Sequence, residues 1–501
     1  MDRKKIIIKN GLAGLIAQGV AQVLNFVLRF FLLKYIGIDI LGISATLSSV
    51  LATLSLSELG FETATVFYLY KPLQDKKYEE VGKILTILKR VYSILGIIIL
   101  ILTGLCIPFL DKILKGVNVD KEIIMYFILL SLNISISYLF SYKRTLLYAD
   151  QREYISKYID SFVNIFSGVI KICAVCVYKN YYIYLVIQII QSLLSNLIIQ
   201  LYCKKKYSYI VTTNFDMDIF KNIFNDVKSI FAGKIAGYIY GATDNLVISM
   251  TISAVKVGYL SNYTVFVSFV KKIVKSGFSS MTSIIGNMLI CSDKIEKEEQ
   301  NFLNYSFIRY ILAAGLVIPW VVLGDNLVGL FWGKQYIMSE KIVLLLAIDL
   351  YIDIIYSPCC EYINAGGLFH IDKYVGILGA LINLIFSIFL CIYIGISGVL
   401  FGTVISQVYF FIARSYVVYH YLFQMNIKYY RDYIMKNILW VGNCIGVVLV
   451  IDYIKDFFTF NNQFVELFII AILCELILLL SIMILFGRTK EGQYIIGRKK
   501  K

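Results

Sequence analysis

Proline, tryptophan and histidine are scarce in this chain of 501 residues, with four, three and two copies respectively. So few prolines leave long stretches in which a helix can run unbroken, because an interior proline removes a backbone donor and crowds the preceding turn. The two histidines, His370 and His420, stand in no metal-ligand spacing, and no P-loop or dinucleotide glycine pattern is present. The sequence therefore offers no catalytic residue set, no metal site and no cofactor site. Charge is also sparse: 16% of residues are charged, against about a quarter in soluble domains. Hydrophobic residues make up 59% and the mean hydropathy is +0.75. Such a chain cannot clothe a water-soluble surface and reads as an all-α polytopic membrane protein.

Apolar runs long enough to cross a bilayer lie at 11–36, 41–70, 84–110, 121–148, 154–178, 181–203, 228–253, 257–290, 303–331, 337–364, 372–395, 397–422, 433–453 and 463–487. That predicts about 14 transmembrane helices. Cysteine is not rare, with ten copies, but most fall inside these runs and none in a connection on the side away from the termini. A disulfide framework is thereby excluded, and Cys173/Cys176 and Cys359/Cys360 read as small apolar fillers.

Lysine and arginine sort by side. The segments on the N-terminal side hold 31 of the 48, the opposite segments hold 8, and the rest lie within spans. Cytoplasmic loops collect these residues, so both termini are expected in the cytoplasm of a bacterial inner or plasma membrane. The net charge of +15 then reflects topology and anionic headgroups rather than nucleic acid. The N-terminus lacks a small-residue cleavage site and reads as an uncleaved first helix.

Polar residues inside the spans carry the functional signal. Gln18, Gln22, Asn25 and Arg29 recur every three or four residues, which stacks them on one helical face. An arginine inside the bilayer costs about 3 kcal/mol on insertion scales, so this face is expected against other helices or water. Span 2 places Glu58 and Glu62 one turn apart, either as a proton or cation relay or as packing glue. Lys171 and Arg414 add intramembrane cations. A shift of 216 residues superposes Gly42 on Gly258 and sets Lys234, Tyr238, Gly241 and Asn245, with Asp244 alongside, over the first stripe. Repeated halves meeting near the midplane are a known transporter plan.

The segments Leu54–Leu73 (LSLSELGFETATVFYLYKPL), Asn364–Tyr374 (NAGGLFHIDKY) and Gly395–Ser406 (GISGVLFGTVIS) resemble bacterial polysaccharide-repeat (Wzx-type) flippases of the multidrug/oligosaccharidyl-lipid/polysaccharide exporter superfamily. The resemblance implies two six-helix lobes in a MATE-like arrangement, at 1–203 and 228–422. A cytoplasmic connection at 204–227 would join them, and 423–501 would add two helices and a basic tail. It also implies a lipid-linked oligosaccharide on undecaprenyl pyrophosphate, carried to the outer leaflet by alternating access for O-antigen or capsule synthesis. Arg29, Gln18, Gln22, Asn25, Lys171, Lys234 and Arg414 are then expected to bind substrate, and Glu58, Glu62 and Asp244 to couple or gate. Membrane lipids, H+ or Na+ as coupling ion and a polysaccharide polymerase are the expected partners. The competing readings are a cation-coupled multidrug exporter of the same superfamily and a membrane glycosyltransferase or polymerase.

Overall fold

The computed structural model describes residues 3–55, 61–211, 214–291, 295–458 and 462–496, and side chains are not described at 229–242 or around the N-terminal turns. Every described element is helical. Eleven of the helices are long and apolar enough to cross a membrane, which makes the chain a multi-pass membrane protein. The other three expected spans also fall on helices. Within 41–70 the described residues form α2 (Ile38–Leu54) and α3 (Phe61–Gln74), and 257–290 is broken into α11 (Ala254–Gly277) and α12 (Met281–Cys291).

By packing the chain divides into Met1–Ser261 and Asn262–Lys501. The first unit holds α1 (Arg3–Tyr35), α2, α3, α4 (Tyr78–Cys106), α5 (Leu110–Ile113), α6 (Lys121–Ser141), α7 (Arg144–Ala149), α8 (Glu153–Tyr178), α9 (Tyr181–Lys206), α10 (Met217–Thr251) and the start of α11. The division lies downstream of the 204–227 connection because α10 packs on α2 and α3. The second unit continues α11 and α12 and adds α13 (Ile295–Phe331), α14 (Glu340–Ala365), α15 (Phe369–Ile394), α16 (Ile396–Val417), α17 (Ile427–Ile454), α18 (Gln463–Phe486) and α19 (Lys490–Ile496).

Short polar residues start the helices. Asp120 accepts from the Ile123 amide (3.0 Å), Asn180 from Tyr182 (2.7 Å) and Asn462 from Phe464 (2.9 Å). Each cap satisfies an amide that has no partner within its helix. Small residues then set how closely helices pack. Leu24 of α1 fills the space over Gly168 of α8, and Gly398 and Gly402 let α16 lie against the backbone of α15. Where water cannot drive association, close backbone approach of this kind supplies the packing. In the second unit, Tyr310 of α13 stacks on Trp440 of α17 at 5.1 Å and accepts from Asn443 at 2.8 Å, so the additional helices are fastened by aromatic contact.

Helix boundaries repeat with the 216-residue offset. α1 and α10 end at Tyr35 and Thr251, α2 and α11 begin at Ile38 and Ala254, and α8 and α15 run over Glu153–Tyr178 and Phe369–Ile394. The turn after α8 places Lys179 at φ 48°, and the equivalent Gly395 stands at φ 63°. That left-handed position is strained for lysine and unstrained for glycine.

Candidate functional site

Arg29 projects from the last third of α1. Its Nη2 donates to the Ser261 hydroxyl at 2.6 Å and reaches the Gly258 carbonyl at 3.4 Å. Ser261 donates its own proton to that carbonyl at 2.6 Å, which leaves a hydroxyl lone pair for the guanidinium. The approach of α11 to α2 beside this cluster depends on two glycines. A Cβ on Gly42 would collide with the Ala254 carbonyl, and one on Gly258 with the Ile38 carbonyl. On α10, Asn245 occupies the repeat position of Arg29 and donates to Ser49 of α2 at 3.1 Å. Span 1 thus bonds to the second repeat and span 7 to the first, with the glycine pair at the crossing.

The remaining stripe residues have different surroundings. Gln22 is buried, Gln18 is half-buried and Asn25 is exposed. Glu58 and the side chains of Lys234 and Tyr238 lie outside the described residues. Glu62 is half-buried in the first turn of α3 and acts electrostatically on Tyr148, while Asp244 is half-buried on α10.

Lys171 lies within the first unit, 5% exposed, with its Nζ donating to Gln191 Oε1 at 2.6 Å and lying 5.0 Å from the Tyr184 ring centroid. Gln191 in turn donates to Asn164, and Ser192 donates to Asn133 at 2.7 Å. These contacts tie α8 to α9 and α9 to α6. Among the described residues no carboxylate lies within ion-pair distance of Lys171.

Several other cations in or beside the spans are paired with acids. Arg144 grips Asp160 with two bonds of 2.7 Å and also reaches Asn196 and Ser195. In the second unit Lys271 pairs with Asp349 at 2.7 Å, Arg309 with Glu361 at 2.5 Å and Arg414 with Asp372 at 2.7 Å. Arg309 is 1% exposed and stacks on Phe278 at 3.7 Å. A count of basic residues alone missed these partners. The signal was available as the acids at 160, 349, 361 and 372, each within or beside an expected span. Ser261 gave no comparable signal, since one serine in an apolar run is unremarkable in sequence.

An apolar groove of about 690 Å³ opens in the second unit between α13, α14, α16 and α17. Ile318, Ile348, Ile355, Val408, Val441 and Ile445 are among its walls. Of the two additional helices, α17 lines the groove and α18 contributes nothing to it.

The family model described as "Polysaccharide biosynthesis protein" matches residues 41–337. No curated protein sequence matches the chain. The fold is similar to that of a lipid II flippase MurJ in an inward closed conformation, with TM-score 0.73 and 17% identity over 94% of this chain and 98% of that one. It is also similar to an inward-facing multidrug resistance MATE family transporter of the MOP superfamily, with TM-score 0.64 and 14% identity over 83% and 96%. The eukaryotic MATE transporter AtDTX14 follows at TM-score 0.56 and 15% identity over 86% and 97%.

Proposed function

Because the chain belongs to the polysaccharide biosynthesis protein family, whose model spans more than half of its length, we propose that it flips an undecaprenyl-pyrophosphate-linked oligosaccharide from the cytoplasmic to the outer leaflet of a bacterial inner or plasma membrane. The carrying observation is Arg29, an intramembrane guanidinium on α1 that donates to the Ser261 hydroxyl at 2.6 Å. A diphosphate with sugars cannot cross hydrocarbon unaided and needs cationic donors along a wet path. Arginine presents a planar fork suited to phosphate oxygens.

In this reading Lys171 and Arg414 are further cationic positions on the path, with Lys234, Gln18, Gln22 and Asn25 completing the polar wall. Glu58, Glu62 and Asp244 couple the cycle to H+ or Na+, and transport runs by alternating access between the two halves. The apolar groove beside α17 takes part of the polyprenyl tail, which is excluded from the polar path by its lack of hydrogen-bonding groups. Both termini face the cytoplasm, where the basic segments meet anionic headgroups. A polysaccharide polymerase is the consumer of the product.

Reconstitution into liposomes with a fluorescent undecaprenyl-diphosphate oligosaccharide tests the proposal. Loss of accessible label from one leaflet, dependent on the protein, is the expected result. Failure with lipid-linked sugars together with efflux of amphipathic cations would instead assign the chain to drug export.

A further inference from the structure

We infer that Lys275 of α11 is shared between Asp353 of α14 and the diphosphate of the substrate, so that Asp353 binds a proton whenever an anion holds the lysine. On the reading of the chain as a diphosphate carrier, on which this rests, Asp353 is a proton site of the second unit and Lys275 links the two ligands.

Two rungs face each other across α11 and α14. Lys271 and Lys275 stand one turn apart on α11, as Asp349 and Asp353 do on α14. The first rung is closed: Lys271 donates to Asp349 Oδ2 at 2.7 Å and Gln407 of α16 donates to Oδ1, so both carboxylate oxygens are engaged. The second is open. Asp353 lies in the electrostatic field of Lys271, Lys275 and Asp349, but no described cation is within ion-pair distance of it. Its side chain meets the Tyr356 hydroxyl at 3.4 Å, long for a bond between oxygens. Lys275 is exposed and makes no ion pair among the described residues. The other cations packed around α14 are committed, Arg309 of α13 to Glu361 and Arg414 of α16 to Asp372, and α12 carries no charged residue.

An opposite charge nearby favours the ionised carboxylate, and a like charge one turn away opposes it. A diphosphate that takes Lys275 removes the countercharge and brings further negative charge, in a segment where uncompensated charge is costly. Protonation of Asp353 relieves both. The proton comes from the water open to the site, resides on a carboxylate oxygen, and returns to water when the anion leaves and Lys275 again neutralises Asp353. Linkage makes the effect reciprocal: the anion raises proton affinity by the factor by which the proton raises anion affinity. Asp349 takes no part, because Lys271 and Gln407 hold it whether or not a ligand is bound.

The test uses the full chain in nanodiscs, with inorganic pyrophosphate and undecaprenyl diphosphate as probes. Affinity is measured against pH, and protonation is read as the protonated-carboxyl band in infrared difference spectra on adding pyrophosphate. For the unmodified protein the band is expected to appear, and both affinities to fall as pH rises, by up to about tenfold per pH unit where Asp353 titrates. D353N, which mimics the protonated acid, is expected to bind both anions at high pH as tightly as the unmodified protein does at low pH, without the band. D353E keeps a carboxyl and is expected to restore band and pH dependence. K275M is expected to abolish the band and K275R to keep it. No band in the unmodified protein, an equal band in D353N or K275M, or one pH dependence shared by the unmodified protein and D353N would overturn the inference and leave the substrate reading intact. A pyrophosphate-induced band that D353N abolishes, with no binding of undecaprenyl diphosphate to any variant, would support the inference and overturn the substrate reading.

Discussion

Gly42 and Gly258 touch backbone to backbone. A Cβ on Gly42 would lie 2.9 Å from the Gly258 amide nitrogen, and one on Gly258 would lie 3.1 Å from that of Gly42. The two residues hold the same place in the two repeats, so the internal symmetry of the chain passes through a helix crossing too close to admit a Cβ. Arg29 reaches the carbonyl of one of these glycines, which ties the polar site to the same point.

Substituting either glycine tests the crossing. Gly42→Ala and Gly258→Ala each force α2 and α11 apart, at about 1–3 kcal/mol for overpacking of this kind. Thermal unfolding in detergent should show both losses. The double variant should cost less than their sum, because the first methyl already separates the helices. Full additivity would mean that the glycines do not share one contact.

The ion pair of Arg144 with Asp160 makes a different prediction. Asp160→Asn strands the guanidinium among Asn196, Ser195 and the former acid, and costs about 3 kcal/mol, at the low end for buried pairs because Asp160 is one-third exposed. The double variant Arg144→Met/Asp160→Leu should recover most of the lost thermal stability, since an apolar pair needs no desolvation. Failure to recover would give the pair a role beyond charge balance.

Much of this architecture was legible in the sequence. Apolar run length located the eleven described helices long and apolar enough to cross a membrane, because a bilayer demands a fixed span. The offset that aligned Gly42 with Gly258 also aligns the observed helix ends. The break in span 8 has a sequence signal, because Lys271, Lys272 and Lys275 interrupt the apolar run just before α11 ends at Gly277. Pairing of charges was not legible: Arg414 with Asp372 and Arg309 with Glu361 join residues on different helices, and no spacing rule along one helix reports them. The partner of Arg29 belongs to the same class, with Ser261 far away in the chain.

Filling the apolar groove separates tail recognition from headgroup recognition. Val441→Trp places an indole in the groove beside Ile445 and Ile348. Flipping of a full-length undecaprenyl substrate should fall several-fold, while binding of a short-tailed farnesyl diphosphate analogue stays at the level of the unmodified protein. Equal losses for both tails would remove the groove from the transport path.

Lys171→Met should reduce transport without reducing stability. An apolar side chain of similar length spares the desolvation of an ammonium 5% exposed, although Gln191 loses its donor. Replacing buried charge by an apolar isostere is commonly neutral or stabilising. Normal flipping by a well-inserted Lys171→Met protein would assign the lysine to the α8–α9 network alone.

Arg29 is the residue on which the proposed function turns. Arg29→Ala removes both bonds to the Ser261–Gly258 pair and the only charge on the span 1 stripe, so flipping should be abolished with insertion in the membrane unchanged. Arg29→Lys keeps the charge and loses the planar fork, and should retain partial flipping with weaker diphosphate affinity. Flux in reconstituted vesicles, set against membrane protein quantity by immunoblot, separates the two variants. If the guanidinium only fastened α1 to α11, glutamine, which can still donate to Ser261, should rescue as well as lysine. A diphosphate contact instead requires lysine to exceed glutamine, because only lysine carries the charge that the anion needs.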